Sequence, residues 1–148
     1  MKTLLTRISS IGLVMLATAT APALADGSVA GGAFTQSGNG QSGTGGGVLL
    51  STTDSMPILP ATIGLTGFVP LAPGGGYAVT VDGTFSFVNN AIGIGYGIGQ
   101  FGGAHASGTF TGFLLHQIAP RTSLELRAYV ASGSHAVTAG FFGLRFNL

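Results

Sequence analysis

The chain has 148 residues, of which 45% are hydrophobic and only 6% charged, with 27 glycines and no cysteine. An ordinary soluble domain is about a quarter charged. The missing charged tracts argue against charge-driven disorder, the lack of a three-residue glycine period against collagen, and five scattered basic residues against a nucleic-acid surface. A membrane β-protein or a small glycine-rich secreted protein remains.

Residues 1–25 read as a secretory signal peptide. Lys2 and Arg7 form the positive start, Ile8–Ala21 the apolar stretch, and Ala23-Leu24-Ala25 an A-x-A cleavage site before Asp26. The apolar stretch is about 14 residues, short of the roughly 20 that a spanning helix needs. Cleavage leaves Arg121, Arg127 and Arg145 against Asp26, Asp54, Asp82 and Glu125, with no lysine. Without cysteine there is neither a disulfide framework nor a lipidated cysteine.

After Asp26 the apolar residues recur at every second position rather than with helical spacing. Ser28–Gln36 and Gly46–Thr53 are the first two expected strands, separated by a flexible polar loop over Ser37–Gly45. Asp54–Pro60 carries two prolines and reads as a connection. Ala61–Leu71 is the third strand. Tyr77–Val88 alternates most clearly: Tyr77, Val79, Val81, Phe85 and Phe87 share one face, and Ala78, Thr80, Asp82, Thr84 and Ser86 the other. Asn89-Asn90 then suits a two-residue hairpin turn, since asparagine tolerates positive φ.

In Ala91–Gln100, Ile92, Ile94, Tyr96 and Ile98 alternate with Gly93, Gly95, Gly97 and Gly99. Ser107–Ile118 is less regular, with Gly112 a candidate β-bulge that changes register midway. Ser123–Ser132 sets Leu124, Leu126, Ala128 and Val130 opposite Glu125, Arg127 and Tyr129. Ala136–Leu148 closes the chain, with Phe142, Leu144, Phe146 and Leu148 opposite Phe141, Gly143, Arg145 and Asn147.

Eight such runs joined by short connections predict an all-β fold: an eight-stranded antiparallel up-and-down transmembrane barrel over 26–148. Strands tilted across a bilayer need about 9–11 residues, and closure removes the aggregation-prone edges of an open sheet. The connections at Asp54–Pro60, Asn89-Asn90 and Ala119–Thr122 then share one end with the termini. Ser37–Gly45, Ala72–Gly76, Phe101–Ala106 and Gly133–His135 share the other. An eight-stranded interior is barely wide enough for side chains. It accepts the small polar faces more readily than rows of Phe and Leu, so the expected lumen is polar, packed and non-conducting. Asp82, Glu125, Arg127 and Arg145 form its expected charge cluster, with the glycines of the fifth strand leaving space for the arginines. An arginine facing lipid at mid-membrane would cost about 2–4 kcal/mol.

The run Phe113-Leu-Leu-His-Gln-Ile-Ala-Pro-Arg-Thr-Ser-Leu-Glu-Leu-Arg-Ala-Tyr-Val130 resembles the penultimate hairpin of small bacterial outer-membrane barrels, where a short Pro-x-Thr-Ser-Leu turn leads into the next strand. Gly143-Leu-Arg-Phe-Asn-Leu148 resembles their closing strand, although it ends in leucine where phenylalanine is usual. The resemblance covers about a quarter of the chain and points to the OmpA/OmpX-like eight-stranded barrels. It implies export to a bacterial outer membrane, contact with outer-membrane lipid, insertion by the barrel-assembly machinery, and a structural or surface-interaction role. A monomer with no cofactor and no nucleic-acid partner is expected; a surface partner is left open.

Three further patterns carry potential chemistry. Gly97-Ile-Gly-Gln-Phe-Gly102 satisfies G-x-G-x-x-G, but a dinucleotide site needs a following helix and a strand follows here. His105-Ala106-Ser107 resembles the His-x-Ser of outer-membrane lipid A deacylases, with Gly108 where that family has asparagine. Such a serine needs a base and an orienting acid, and Glu125 is expected in the lumen. His105, His116 and His135 do not converge in the expected topology, so no metal site is assigned. The alternative to a membrane barrel is a secreted glycine-rich sheet or fibril built from short β-prone segments; a lipid-modifying barrel using His105 and Ser107 ranks below it.

Overall fold

A computed structural model describes residues 26–38, 40–56, 60–71, 75–132 and 136–148. Its eight strands are β1 (Asp26–Gly38), β2 (Gln41–Ser55), β3 (Ala61–Pro70), β4 (Gly76–Phe87), β5 (Asn90–Phe101), β6 (Ser107–Ala119), β7 (Thr122–Ala131) and β8 (Val137–Asn147). Each pairs antiparallel with the next in sequence, and β1 also pairs with β8 to close the barrel. The fold is thus the up-and-down barrel expected from alternation. The signal peptide and the Gly133–His135 connection lie outside the described residues, as do residues 72–74 of the Ala72–Gly76 connection.

Alternation sorts side chains by face, because successive residues of a strand point to opposite sides. Thr80, Asp82 and Thr84 on β4, and Glu125, Arg127 and Tyr129 on β7, are buried inside. Val81, Ile94, Tyr96, Phe110, Leu126 and Phe142 stand outside, with Ile94 at 72% exposure. In water a continuous apolar belt of this kind would drive association. Against hydrocarbon it is the outward band of a spanning barrel.

Four local expectations are corrected. The supposed loop Ser37–Gly45 is mostly strand, with β1 and β2 paired up to Gly38↔Gln41. Its glycines, serines and threonines read as slack, yet small side chains pair in a flat ribbon without clash. The β4–β5 turn is Val88-Asn89, not Asn89-Asn90, because Phe87 pairs with Asn90. Pairing along the whole hairpin decides the register, and it forces Val88 to φ 52° at the tip. On β6, pairing runs uninterrupted through Gly112↔Ala128, and the irregularity falls between Gln117 and Ala119, beside the turn. Phe113 therefore points inward and Phe110 and Leu114 outward without any switch. Finally, the interior is not polar throughout, as its two layers make plain.

Candidate functional site in the barrel lumen

The layer nearer the chain termini is ionic. Arg127 and Glu125 sit two residues apart on β7 and so share the inward face; Arg145 enters from β8 and Asp82 from β4. Arg127 Nη1 donates to Asp82 Oδ2 at 2.7 Å and its Nε to Glu125 Oε1 at 2.8 Å. Arg145 forks onto the same glutamate, Nε to Oε2 at 2.8 Å and Nη2 to Oε1 at 3.3 Å. Asp82 also accepts from Thr66 and Thr80 hydroxyls, each at 2.7 Å. The structure thus links all four residues of the expected cluster into one chain, Asp82–Arg127–Glu125–Arg145, with no net charge.

The physical reason for this connectivity is desolvation. Glu125 and Arg127 are 0% and 1% exposed. Removing an ion from water costs several kcal/mol even after relaxation, and attraction offsets that only where hydrogen bonds satisfy the remaining polar atoms. The guanidinium of Arg127 adds a second contact, its carbon standing 3.9 Å from the Phe113 ring centre. Cations favour an aromatic face, more so when desolvated.

The glycines of β5 make room differently from expectation. A Cβ on Gly93 would run into the Phe113 ring, and one on Gly95 into the Asp82 carboxylate and Thr111. They seat the partners of Arg127 rather than the arginine itself. Phe113 and Thr66 are also the neighbours of the cluster that sequence reasoning left out. Thr80 was legible, two residues from Asp82 on the same face; Thr66 and Phe113 depend on packing across strands.

The layer nearer the other end is aromatic. Phe34, Phe68, Phe101, Tyr129 and Phe141 are each at most 2% exposed. Phe68 lies at the centre, with ring centres 5.2 Å from Phe34, 5.1 Å from Tyr129 and 5.5 Å from Phe141. Phe101 completes the group at 5.6 Å from Tyr129 and 6.2 Å from Phe34. These separations are those of offset and tilted ring pairs. Small residues again supply the space: a Cβ on Gly47 would meet the Phe68 ring, and one on Gly143 the Phe141 ring. Tyr129 and Phe141 already stood on the inward face by alternation. Phe34, Phe68 and Phe101 were hidden by weak or glycine-rich strand patterns.

Other candidate residues are not brought together. His105 is exposed in the β5–β6 connection and Ser107 opens β6 at the loop end. Glu125 pairs opposite Leu115, eight residues further along β6 than Ser107, or about 26 Å at 3.3 Å per residue. Both oxygens of Glu125 are engaged by arginine. No Ser-His-Glu set forms there. His116 Nδ1 lies 2.9 Å from Asn90 Oδ1 near the terminal end, far from His105, and His135 lies outside the described residues. Gly97–Gly102 runs from β5 into a connection to β6, with no helix to receive a phosphate.

The two ends of the barrel differ in charge. Among the described residues, Asp26, Asp54 and Arg121 lie at the terminal end, and the other four charges are in the lumen. The segments at the opposite end, 38–46, 71–77, 101–107 and 131–137, contain no Asp, Glu, Lys or Arg.

No protein-family model and no curated protein matches the chain. Among solved structures the fold is similar to that of Ail, the attachment invasion locus protein of Yersinia pestis. The TM-score is 0.61 at 11% identity, covering 84% of this chain and 99% of that one. The complex of Ail with the heparin analogue sucrose octasulfate gives 0.54 at 12% identity, with the same coverage. Neisserial surface protein A gives 0.58 at 13% identity, covering 84% of this chain and 97% of that one. The architecture is that of the small eight-stranded outer-membrane barrels.

Proposed function

We propose that this protein is a monomeric outer-membrane β-barrel with a structural or surface-interaction role and no conducting pore. The observation that carries the reading is the inversion of polarity: apolar side chains ring the outside while four charges are sealed within. A soluble barrel would reverse both faces. The ionic cluster is structural on this reading, and with the aromatic layer it fills the cross-section that a pore would need open; porins with an aqueous path have about 16–18 strands. Export through residues 1–25, insertion by the barrel-assembly machinery and contact with outer-membrane lipid belong to the same proposal. The terminal end then faces the periplasm and the charge-free end the exterior. No observation favours a fibril, since β1–β8 pairing closes the sheet, or a lipid-modifying enzyme, since Glu125 is committed to arginines.

Fractionation with heat-dependent gel migration tests the location: a heat-modifiable band in the outer-membrane fraction is expected, and recovery as a soluble periplasmic protein without detergent would overturn it. Planar-bilayer recordings should show no unitary steps. The charge-free end also bears on polyanion binding. It offers no lysine or arginine for a polyanion, so sucrose octasulfate should not bind to the folded barrel in detergent. Salt-sensitive binding that survives Arg121→Ala would count against the charge-free reading of that end, because Arg121, at the terminal end, is the only exposed arginine among the described residues.

A further inference from the structure

We infer that the lumen holds a buried water site at the boundary between its ionic and aromatic layers, walled by Arg127, Thr111 and Tyr129. Arg127 Nη2, Thr111 Oγ1 and Tyr129 Oη are buried, and none has a hydrogen-bond partner among the described residues. Three orphans of this kind need a common explanation, because a buried polar group without a partner costs about 1–3 kcal/mol.

The register places them together. Thr111 and Tyr129 are directly paired across β6 and β7, and both point inward. Arg127 precedes Tyr129 by two residues on the same face, its guanidinium carbon 5.9 Å from the Tyr129 ring centre. On the far side, Gly95 pairs with both Thr111 and Asp82. A Cβ on that glycine would meet the Asp82 carboxylate and the Thr111 methyl, so those two side chains occupy the space it leaves.

The chemistry selects water over other small ligands. A buried water typically makes about three hydrogen bonds, giving and accepting protons. Here the guanidinium can only donate, while each hydroxyl can donate or accept. One water accepting from Arg127 and shared with both hydroxyls satisfies all three. A cation would face the guanidinium directly, and an anion would sit beside the Asp82–Arg127–Glu125–Arg145 group that is already neutral. Gln36 Oε1 is also unpaired; Gln36 pairs with Ala139, which in turn pairs with Tyr129, so it stands two strands from β7.

The test turns on a sign. Tyr129→Phe and Thr111→Val each delete a hydroxyl with almost no change of shape. With a bridging water, either change in the folded full-length mature chain lowers the folded-to-unfolded ratio about fivefold in a urea titration, the worth of one ordinary hydrogen bond. The double variant should fall short of the product, because the first deletion already weakens the shared water. If the hydroxyls are dry, deleting one removes an unpaired polar group, and the midpoint stays or rises. That result, or effects that multiply independently, would overturn the site. A second measurement uses the wild-type chain in micelles: magnetisation transfer from a long-lived water to the Thr111 methyl and Tyr129 ring protons is expected. Its absence overturns the proposal even if a variant fails to fold.

Discussion

The two layers of the lumen solve one problem, filling a narrow tube, by opposite means. In the ionic layer each member is held by strong, directional partners, and Glu125 alone contacts both arginines. In the aromatic layer no member is indispensable by charge, and contact is shared among five rings around Phe68. The first layer is therefore all-or-nothing, whereas the second should degrade in proportion to the volume removed. It also follows that the ionic layer specifies register more sharply. A one-residue slip would turn every charge toward lipid.

The largest effect should come from Glu125→Ala. It leaves Arg127 with Asp82 alone and Arg145 without its carboxylate, and removing one partner of a buried charged set typically costs about 3–5 kcal/mol. The folded band should be lost at a clearly lower temperature than in wild type. Asp26→Ala and Asp54→Ala, both at exposed positions of the terminal end, should change it little. In the other layer, Phe68→Leu keeps much of the volume and should cost about 1–2 kcal/mol. A loss from Phe68→Leu equal to that from Glu125→Ala would erase the distinction between the layers. Equal effects from Glu125, Asp26 and Asp54 substitutions would undermine the inward placement of Glu125.

A second contrast sharpens the comparison at the level of glycine. An added methyl at Gly95 would collide with the Asp82 carboxylate, the Val81 carbonyl and Thr111, whereas one at Gly112 meets nothing within 4 Å. Gly95→Ala should therefore cost about 1–3 kcal/mol, the usual range for overpacking. Gly112→Ala, facing outward into the apolar belt, should be neutral or slightly stabilising. The urea midpoints of the two variants check this directly. Similar losses at both positions would mean that glycine serves backbone conformation here rather than space.

Much of this was legible from residue order because a barrel has one dominant rule. Period-two alternation in β4, β7 and β8 separated Asp82, Glu125, Arg127 and Arg145 from the Phe and Leu faces of the same strands. What alternation could not reveal was the axial level of each inward residue, which depends on stagger between neighbouring strands. That is why Phe34, Phe68 and Phe101 were not expected beside Tyr129 and Phe141, and why the lumen read as uniformly polar. The hairpin of β1 and β2 failed for another reason. Its side chains are so small that strand and slack have the same composition, and only the pairing Thr35↔Thr44 through Gly38↔Gln41 distinguishes them.

The one predicted gain of measurable size lies at the tip of β4–β5, outside both layers. Val88 is 98% exposed and holds φ at 52°. A β-branched residue there is a true outlier, since its side chain crowds the backbone in the left-handed region. Nothing in the lumen or the belt is gained in return, so the strain is a local cost of the register that pairs Phe87 with Asn90. Glycine removes the crowding but loses more entropy on folding, which leaves Val88→Gly a net gain of about 0.5–1 kcal/mol. A rise in the urea midpoint with unchanged denaturant slope would match this. A fall would mean that the hairpin turns at Asn89-Asn90 instead, where Val88 would be an ordinary strand residue and glycine a liability.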